Sequence, residues 1–194
     1  RRGALALAGV AVFGFAVEIV GANTGLPFGA YRYTDALRPR VLGAPLVIGV
    51  AWMALVAQSW SLVASLRLTR MLGLLVAAVL TTAVDFVIDP LAANQLGYWR
   101  WERAGLYYGI PATNFAGWLL TSLAALIIFS RRLEPGFWAR AVGFAITLFF
   151  SLGAAAHGLR LAAAVGFSLC AAQLLISLRA PEPRDADEPA DEVF

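Results

Sequence analysis

Six apolar blocks of about twenty residues each dominate this sequence, and each is long enough to cross a hydrocarbon core roughly 30 Å thick. They run over about Ala4–Val20, Val41–Ala64, Leu72–Ile88, Ala112–Phe129, Ala139–Ala155 and Leu161–Leu178. Backbone polar groups in lipid must find partners within the chain, which leaves helices or a closed barrel. Barrel strands alternate apolar and polar residues over about ten positions. These blocks are apolar all round, so the fold class expected is all-α: a polytopic membrane bundle of about six transmembrane helices. With 60% hydrophobic and only 14% charged residues, the chain falls well short of the roughly one-quarter charge of soluble domains. The transmembrane domain is expected over residues 1–178. The tail, 179–194, is proline-rich and acidic, and carries too little apolar surface to fold, so it is expected to be disordered. The chain opens Arg1-Arg2 rather than with methionine. One more helix is therefore allowed for upstream, and the first block lacks a signal-peptide cleavage pattern.

All 15 basic residues are arginine. They gather between the apolar blocks and form no stripe suited to nucleic acid. Arg1, Arg2, Arg67, Arg70, Arg131, Arg132, Arg140, Arg179 and Arg184 share one side, against six on the other. By the positive-inside rule this puts both termini in the cytoplasm, with the chain in the plasma membrane. Cys170, the single cysteine, sits within an apolar block as a packing residue and can form no internal disulfide or cysteine cluster.

The alternation of sides brings the two long loops, Gly21–Arg40 and Asp89–Pro111, onto one membrane face. Glu18, Asp85, Asp89 and His157 lie near that face, so every unusual polar group in the helices converges on one half of the bilayer. An ionisable residue inside a membrane segment is a functional-site hypothesis by default. Asp85 and Asp89 are four apart and share a face on a continuous helix. Burial and a neighbouring carboxylate both disfavour the charged form, so one of them is expected to hold a proton and act as a general acid. Asp85 is deepest and has the weakest structural alternative. Asp89 precedes Pro90, which suits a helix N-cap as well as chemistry, and Glu18 suits an ion pair with a loop arginine such as Arg32. His157 reads as a turn histidine, and no metal is expected.

The loops are rich in aromatics. Phe28, Tyr31 and Tyr33 in the first read as anchors for the membrane interface, and a belt explains Trp99 and Trp101 in the second adequately; the density of aromatics beside buried acids, Tyr107 and Tyr108 included, goes beyond a belt and suits faces that stabilise a cation. Asn114, near the start of the fourth block, is placed to hold water or a hydroxyl. The spacing Asp85-x-x-x-Asp89 is similar to the pairs that hold magnesium diphosphate in membrane prenyltransferases. Those enzymes need a second aspartate-rich motif, which is absent here.

At these residues the chain resembles the membrane carotenoid 1,2-hydratases, the family of γ-carotene and bisanhydrobacterioruberin hydratases. The matching stretches are Glu18-x-x-Gly21, Thr24-Gly25-x-Pro27-Phe28-Gly29-x-Tyr31-x-Tyr33-Thr34, Pro45 with Trp52, Asp85 with Asp89-Pro90, Trp99-x-Trp101, and Tyr107-Tyr108-Gly109-x-Pro111-x-x-Asn114-x-x-Gly117-Trp118. Together they span about half the chain. Arg38 departs from the pattern, standing where Leu-Gly-Pro has glycine. The resemblance implies addition of water across the terminal C=C of an acyclic carotenoid end, such as that of lycopene or γ-carotene, giving a tertiary hydroxyl. It also implies no redox cofactor and an association with other carotenoid-pathway enzymes. The residues and the resemblance together assign Asp85, Glu18 and Asp89 to catalysis. Tyr31, Tyr33, Tyr107, Tyr108, Asn114 and Trp118 are assigned to the substrate. Two alternatives stand beside this reading: a membrane lycopene cyclase using the same protonation, and a carotenoid-binding or transport protein without turnover.

Overall fold

A computed structural model describes residues 1–179, and the expected disordered tail lies outside them except for Arg179, which ends the last helix. Six long helices follow in order: α1 (Arg2–Thr24), α2 (Leu46–Val63), α3 (Arg70–Asn94), α4 (Ala112–Phe129), α5 (Phe137–Ala156) and α6 (Arg160–Arg179). All six are long and apolar enough to cross a membrane. Helices α1 to α4 pack around a common centre, and α5 and α6 pair with each other against α2 and α3.

In lipid no hydrophobic force drives helix against helix, so close packing and interhelical hydrogen bonds carry association. The buried face of α1 runs through Gly3, Ala6, Val10, Gly14, Glu18 and Gly21, which are small except for Val10 and Glu18. Trp52 of α2 lies fully buried against Gly14, where any side chain would displace its ring. On the other side of the bundle, Gln58 of α2 donates to Gln173 of α6 at 2.8 Å, and both amides reach Thr147 of α5. This polar cluster lies toward the far end of α2, in the opposite half of the bilayer from the acids. The expectation that all unusual polar groups converge on one half is corrected accordingly: the carboxyl groups do, the glutamines do not.

The third apolar block ends at Ile88, just before Asp89-Pro90, but α3 continues to Asn94 with Pro90 inside it. Proline has no N–H to offer the carbonyl four residues back. That carbonyl belongs to Phe86, and the Tyr107 hydroxyl donates to it at 2.8 Å. The loop thus replaces the bond that the helix lacks. Asp89 is therefore an interior helical residue, not an N-cap, and shares a face with Asp85.

The long loops contain the only β-structure among the described residues. Strand β1 (Tyr31–Tyr33) pairs antiparallel with β4 (Trp99–Trp101), with Tyr31 opposite Trp101 and Tyr33 opposite Trp99. A second small ribbon joins β2 (Arg40–Val41) to β3 (Ala44–Pro45) just before α2. Arg38, the departure noted above, is held by Asp35 at 2.7 Å, and Arg40 also pairs with Asp35. His157 is exposed at the end of α5, as expected of a turn histidine.

Two outcomes test this fold. With Cys170→Ser removing the native thiol, single cysteines replacing Asp35 and Arg131 should react with a membrane-impermeant maleimide from opposite sides of sealed vesicles. Tyr107→Phe should lower unfolding stability by about 1 kcal/mol, because it strips a partly buried carbonyl of its donor, and this is measurable by thermal unfolding in detergent.

Candidate active site

Successive side chains of a strand point to opposite faces. In the β1–β4 ribbon, Arg32 and Arg100 therefore face outward, where Arg32 pairs with the exposed Glu102 at 2.8 Å. Tyr31, Tyr33, Trp99 and Trp101 share the other face and point down into the centre of α1 to α4. All four carry a hydrogen-bond donor, and each finds a carboxylate. Tyr31 and Tyr33 donate to Glu18 Oε2 at 2.6 and 2.9 Å. Trp99 and Trp101 donate through their indole Nε1 to Asp89 Oδ1 at 2.7 and 3.3 Å. Neither an aromatic belt nor a Glu18–Arg32 pair is what these residues form.

The helices complete the network from below. Trp52 Nε1 donates to Glu18 Oε1 at 3.3 Å. Asn114, in the first turn of α4, donates through Nδ2 to Asp85 Oδ2 at 2.7 Å and to Asp89 Oδ2 at 2.8 Å. Glu18, Asp85 and Asp89 are 5%, 1% and 1% exposed, so bulk solvent solvates none of them appreciably. The donors are unevenly divided. Glu18 and Asp89 each accept three hydrogen bonds, while Asp85 accepts one, and its Oδ1 has no hydrogen-bond partner among the described residues. Indole N–H groups only donate, so Asp89 Oδ1 must accept from both tryptophans. Burial, and next the charge of Glu18, push the Tyr31 and Tyr33 hydroxyls above the ordinary phenol range. Both stay protonated as donors.

These groups line one cavity of about 70 Å³ together with Phe28, Leu55, Ile88 and Trp118. A water molecule needs only about 10–15 Å³ of such space, so the cavity has room for more than one. Trp118 stacks on Trp52, with ring centroids 4.1 Å apart. Phe28 closes one side by lying against Gly21 of α1 and Gly117 of α4, where added methyl groups would come within 2.8 and 2.7 Å of its ring.

Of the residues expected at the site, Glu18, Asp85, Asp89, Tyr31, Tyr33, Asn114 and Trp118 all line this cavity. Tyr107 and Tyr108 do not. Tyr107 holds the Phe86 carbonyl on another face of α3, and its hydroxyl is pushed up to about 12, mainly by burial. The Tyr108 hydroxyl accepts from the Leu161 N–H at 3.0 Å, tying the loop to α6. Their place in the reading is as supports for the loop and not as cavity walls. Sequence reasoning overlooked the roles of Trp52 and Phe28, and it treated Trp99 and Trp101 as adequately explained by a belt. The available signal was the matched period of two in Tyr31-x-Tyr33 and Trp99-x-Trp101, which gives two short strands with all aromatics on one face. Among the described residues no group of three or more histidine, cysteine or acidic side chains is arranged to hold a metal ion.

No solved structure matches the chain. It is 36% identical over 134 residues to the bisanhydrobacterioruberin hydratase of Haloarcula japonica, covering 66% of this chain and 45% of that protein. The chain thus spans less than half the length of that curated relative. The family model described as carotenoid biosynthesis protein matches residues 1–178, nearly the whole of the described structure. On that match the chain belongs to the carotenoid biosynthesis protein family.

Proposed function

We propose that this membrane protein is a carotenoid hydratase, a hydro-lyase that adds water across the terminal C=C of an acyclic carotenoid end. The observation that carries the reading is the meeting of three buried carboxyl groups around one small cavity with an uneven division of hydrogen-bond donors. Glu18 and Asp89, with three donors each, are suited to remain carboxylates. Asp85 has one donor, a free oxygen and a like-charged neighbour one helical turn away. It is the member of the set for which holding a proton costs least.

The chemistry runs in three steps. Asp85 gives its proton to the less substituted carbon of the terminal alkene, and the π electrons form the new C–H bond. The tertiary cation left behind lies between the negative charges of Glu18 and Asp89 and the faces of Trp118, Tyr31 and Tyr33. Preformed charges and π-faces of this kind act most strongly where water is scarce. A water molecule then forms the C–O bond, and its extra proton passes to the Asp85–Asp89 pair, restoring the acid. Alkene and water are consumed, a tertiary alcohol is formed, and no electrons change hands, so no redox cofactor is required. The arginine bias orients the protein with both ends of the described bundle in the cytoplasm and the ribbon on the far side of the plasma membrane. The lipid bilayer delivers the substrate, and neighbouring carotenoid-pathway enzymes are its expected associates.

What favours hydration over ring closure of the same cation is the likeness to bisanhydrobacterioruberin hydratase, 36% identical over 134 residues.

Expression in cells that make lycopene or γ-carotene, with pigment masses recorded, tests the assignment. Hydration adds the mass of water, whereas cyclisation leaves the mass unchanged and a binding protein alters no pigment. Asp85→Asn should reduce hydrated product by about a hundredfold or more, the scale of a lost general acid, while membrane insertion is unchanged. Near wild-type hydration in that variant would remove Asp85 from the acid role.

A further inference from the structure

A cavity of about 70 Å³ takes only the end of a carotenoid, so the rest of the molecule must leave it along a definite path. Four helices surround the cavity and leave four seams, three of which named contacts close at this depth. The α1–α2 seam is filled by Trp52 against Gly14, and at Gly49 an added methyl would lie 3.0 Å from the Ala11 carbonyl and 3.1 Å from Phe15. Phe28, wedged on Gly21 and Gly117, fills the α1–α4 seam. Asn114 bridges α3 and α4 to both aspartates, and behind it Phe86 stacks on Phe115 with centroids 3.8 Å apart.

The α2–α3 seam differs. The two helices meet at their other ends, where Val63 lies against Gly73. Around the cavity the seam is bordered by Ile48, Ala51 and Ile88, which line the cavity and are each partly exposed, unlike the buried Leu55 below them. Helix α5 packs on α2 where Gly143 meets Gln58 and on α3 where Gly153 meets Leu91, and none of its residues lines the cavity. The first turns of α2 are left bare, with Val47 and Val50 49% and 54% exposed on the lipid-facing side.

We infer that the carotenoid reaches the acids sideways from the bilayer through the α2–α3 seam, its end inside the cavity and its polyene lying over Ile48, Ala51 and Ile88 and out into lipid. The inference rests on the hydratase reading for its occupant. An apolar hydrocarbon suits a window whose whole frame is aliphatic, and the seam is continuous with the cavity that holds the acids. A larger apolar groove of about 380 Å³, lined by Thr82, Phe86, Phe115 and Ala116, lies on another side of α3 and α4. It contains no ionisable group, and the Phe86–Phe115 stack separates it from Asp85, so it serves as the comparison site.

The test uses the full chain with Cys170→Ser, reconstituted in phosphatidylcholine vesicles, carrying Ala51→Cys in one preparation and Ala116→Cys in another. A lipid-soluble maleimide labels each position with and without lycopene in the bilayer. Lycopene should slow labelling at position 51 by about tenfold, the protection given by roughly 90% occupancy, and leave position 116 unchanged. Slowing at 116 to the same degree as at 51 or more, or slowing at neither position while the wild-type chain hydrates lycopene, overturns the α2–α3 route. Protection at 51 without any hydration by the wild-type chain upholds the route and overturns the hydratase reading. Absence of both protection and hydration overturns the two together.

Discussion

Three carboxyl groups inside a lipid-embedded bundle are the constraint around which the rest of this structure is arranged. A buried polar group without a partner costs several kcal/mol in hydrocarbon, and Glu18, Asp85 and Asp89 stand within one cavity. The helices alone supply too few donors: Trp52 from α2 and Asn114 from α4. The other four come from outside the helices, from two loops about seventy residues apart in sequence that are zipped into one antiparallel ribbon. Its pleat aims two phenols at Glu18 and two indoles at Asp89. Secondary structure that would have no use in a helical membrane protein is thus required to make its acids tolerable.

The proposed hydration draws on the same arrangement. Satisfying all three acids equally would make an inert polar core. The network instead saturates two and leaves the third with a single donor and an oxygen facing the cavity. That inequality is what a general acid beside two stabilising carboxylates requires. It depends on α3 staying helical through Pro90, since only then do Asp85 and Asp89 share Asn114. Tyr107 secures that continuity from the loop by occupying the Phe86 carbonyl. Helices α5 and α6 contribute no cavity wall, and their role is to buttress α2 and α3, partly through the Gln58–Gln173 pair. The matching of the family model over residues 1–178 therefore covers both the candidate site and the helices that support it.

Much of this was legible in the sequence. Runs of apolar residues announce membrane helices because lipid leaves few alternatives, and acids within them stand out for the same reason. Glu18, Asp85 and Asp89 were identifiable as a set from the alternation of loop sides alone. What escaped depended on non-local pairing. Strands of three residues carry almost no propensity signal, and nothing local in Tyr31-x-Tyr33 says that it will face Trp99-x-Trp101. Pro90 was read as a boundary because local rules say so, and the tertiary hydrogen bond that overrides the rule comes from a residue seventeen positions away. That Tyr107 and Tyr108 lie away from the cavity follows from the same gap: proximity in sequence to the site does not reveal on which side of α3 they land.

The central claim is that one carboxyl group of the three, Asp85, is protonated at neutral pH while Glu18 and Asp89 are charged. Infrared spectroscopy of the protein in hydrated bilayers reads this directly through the carbonyl stretch of a protonated carboxylic acid. The account predicts such a band at neutral pH in the wild-type chain, lost in Asp85→Asn and retained in Glu18→Gln. Absence of the band in the wild-type chain, or its survival in Asp85→Asn, would contradict it.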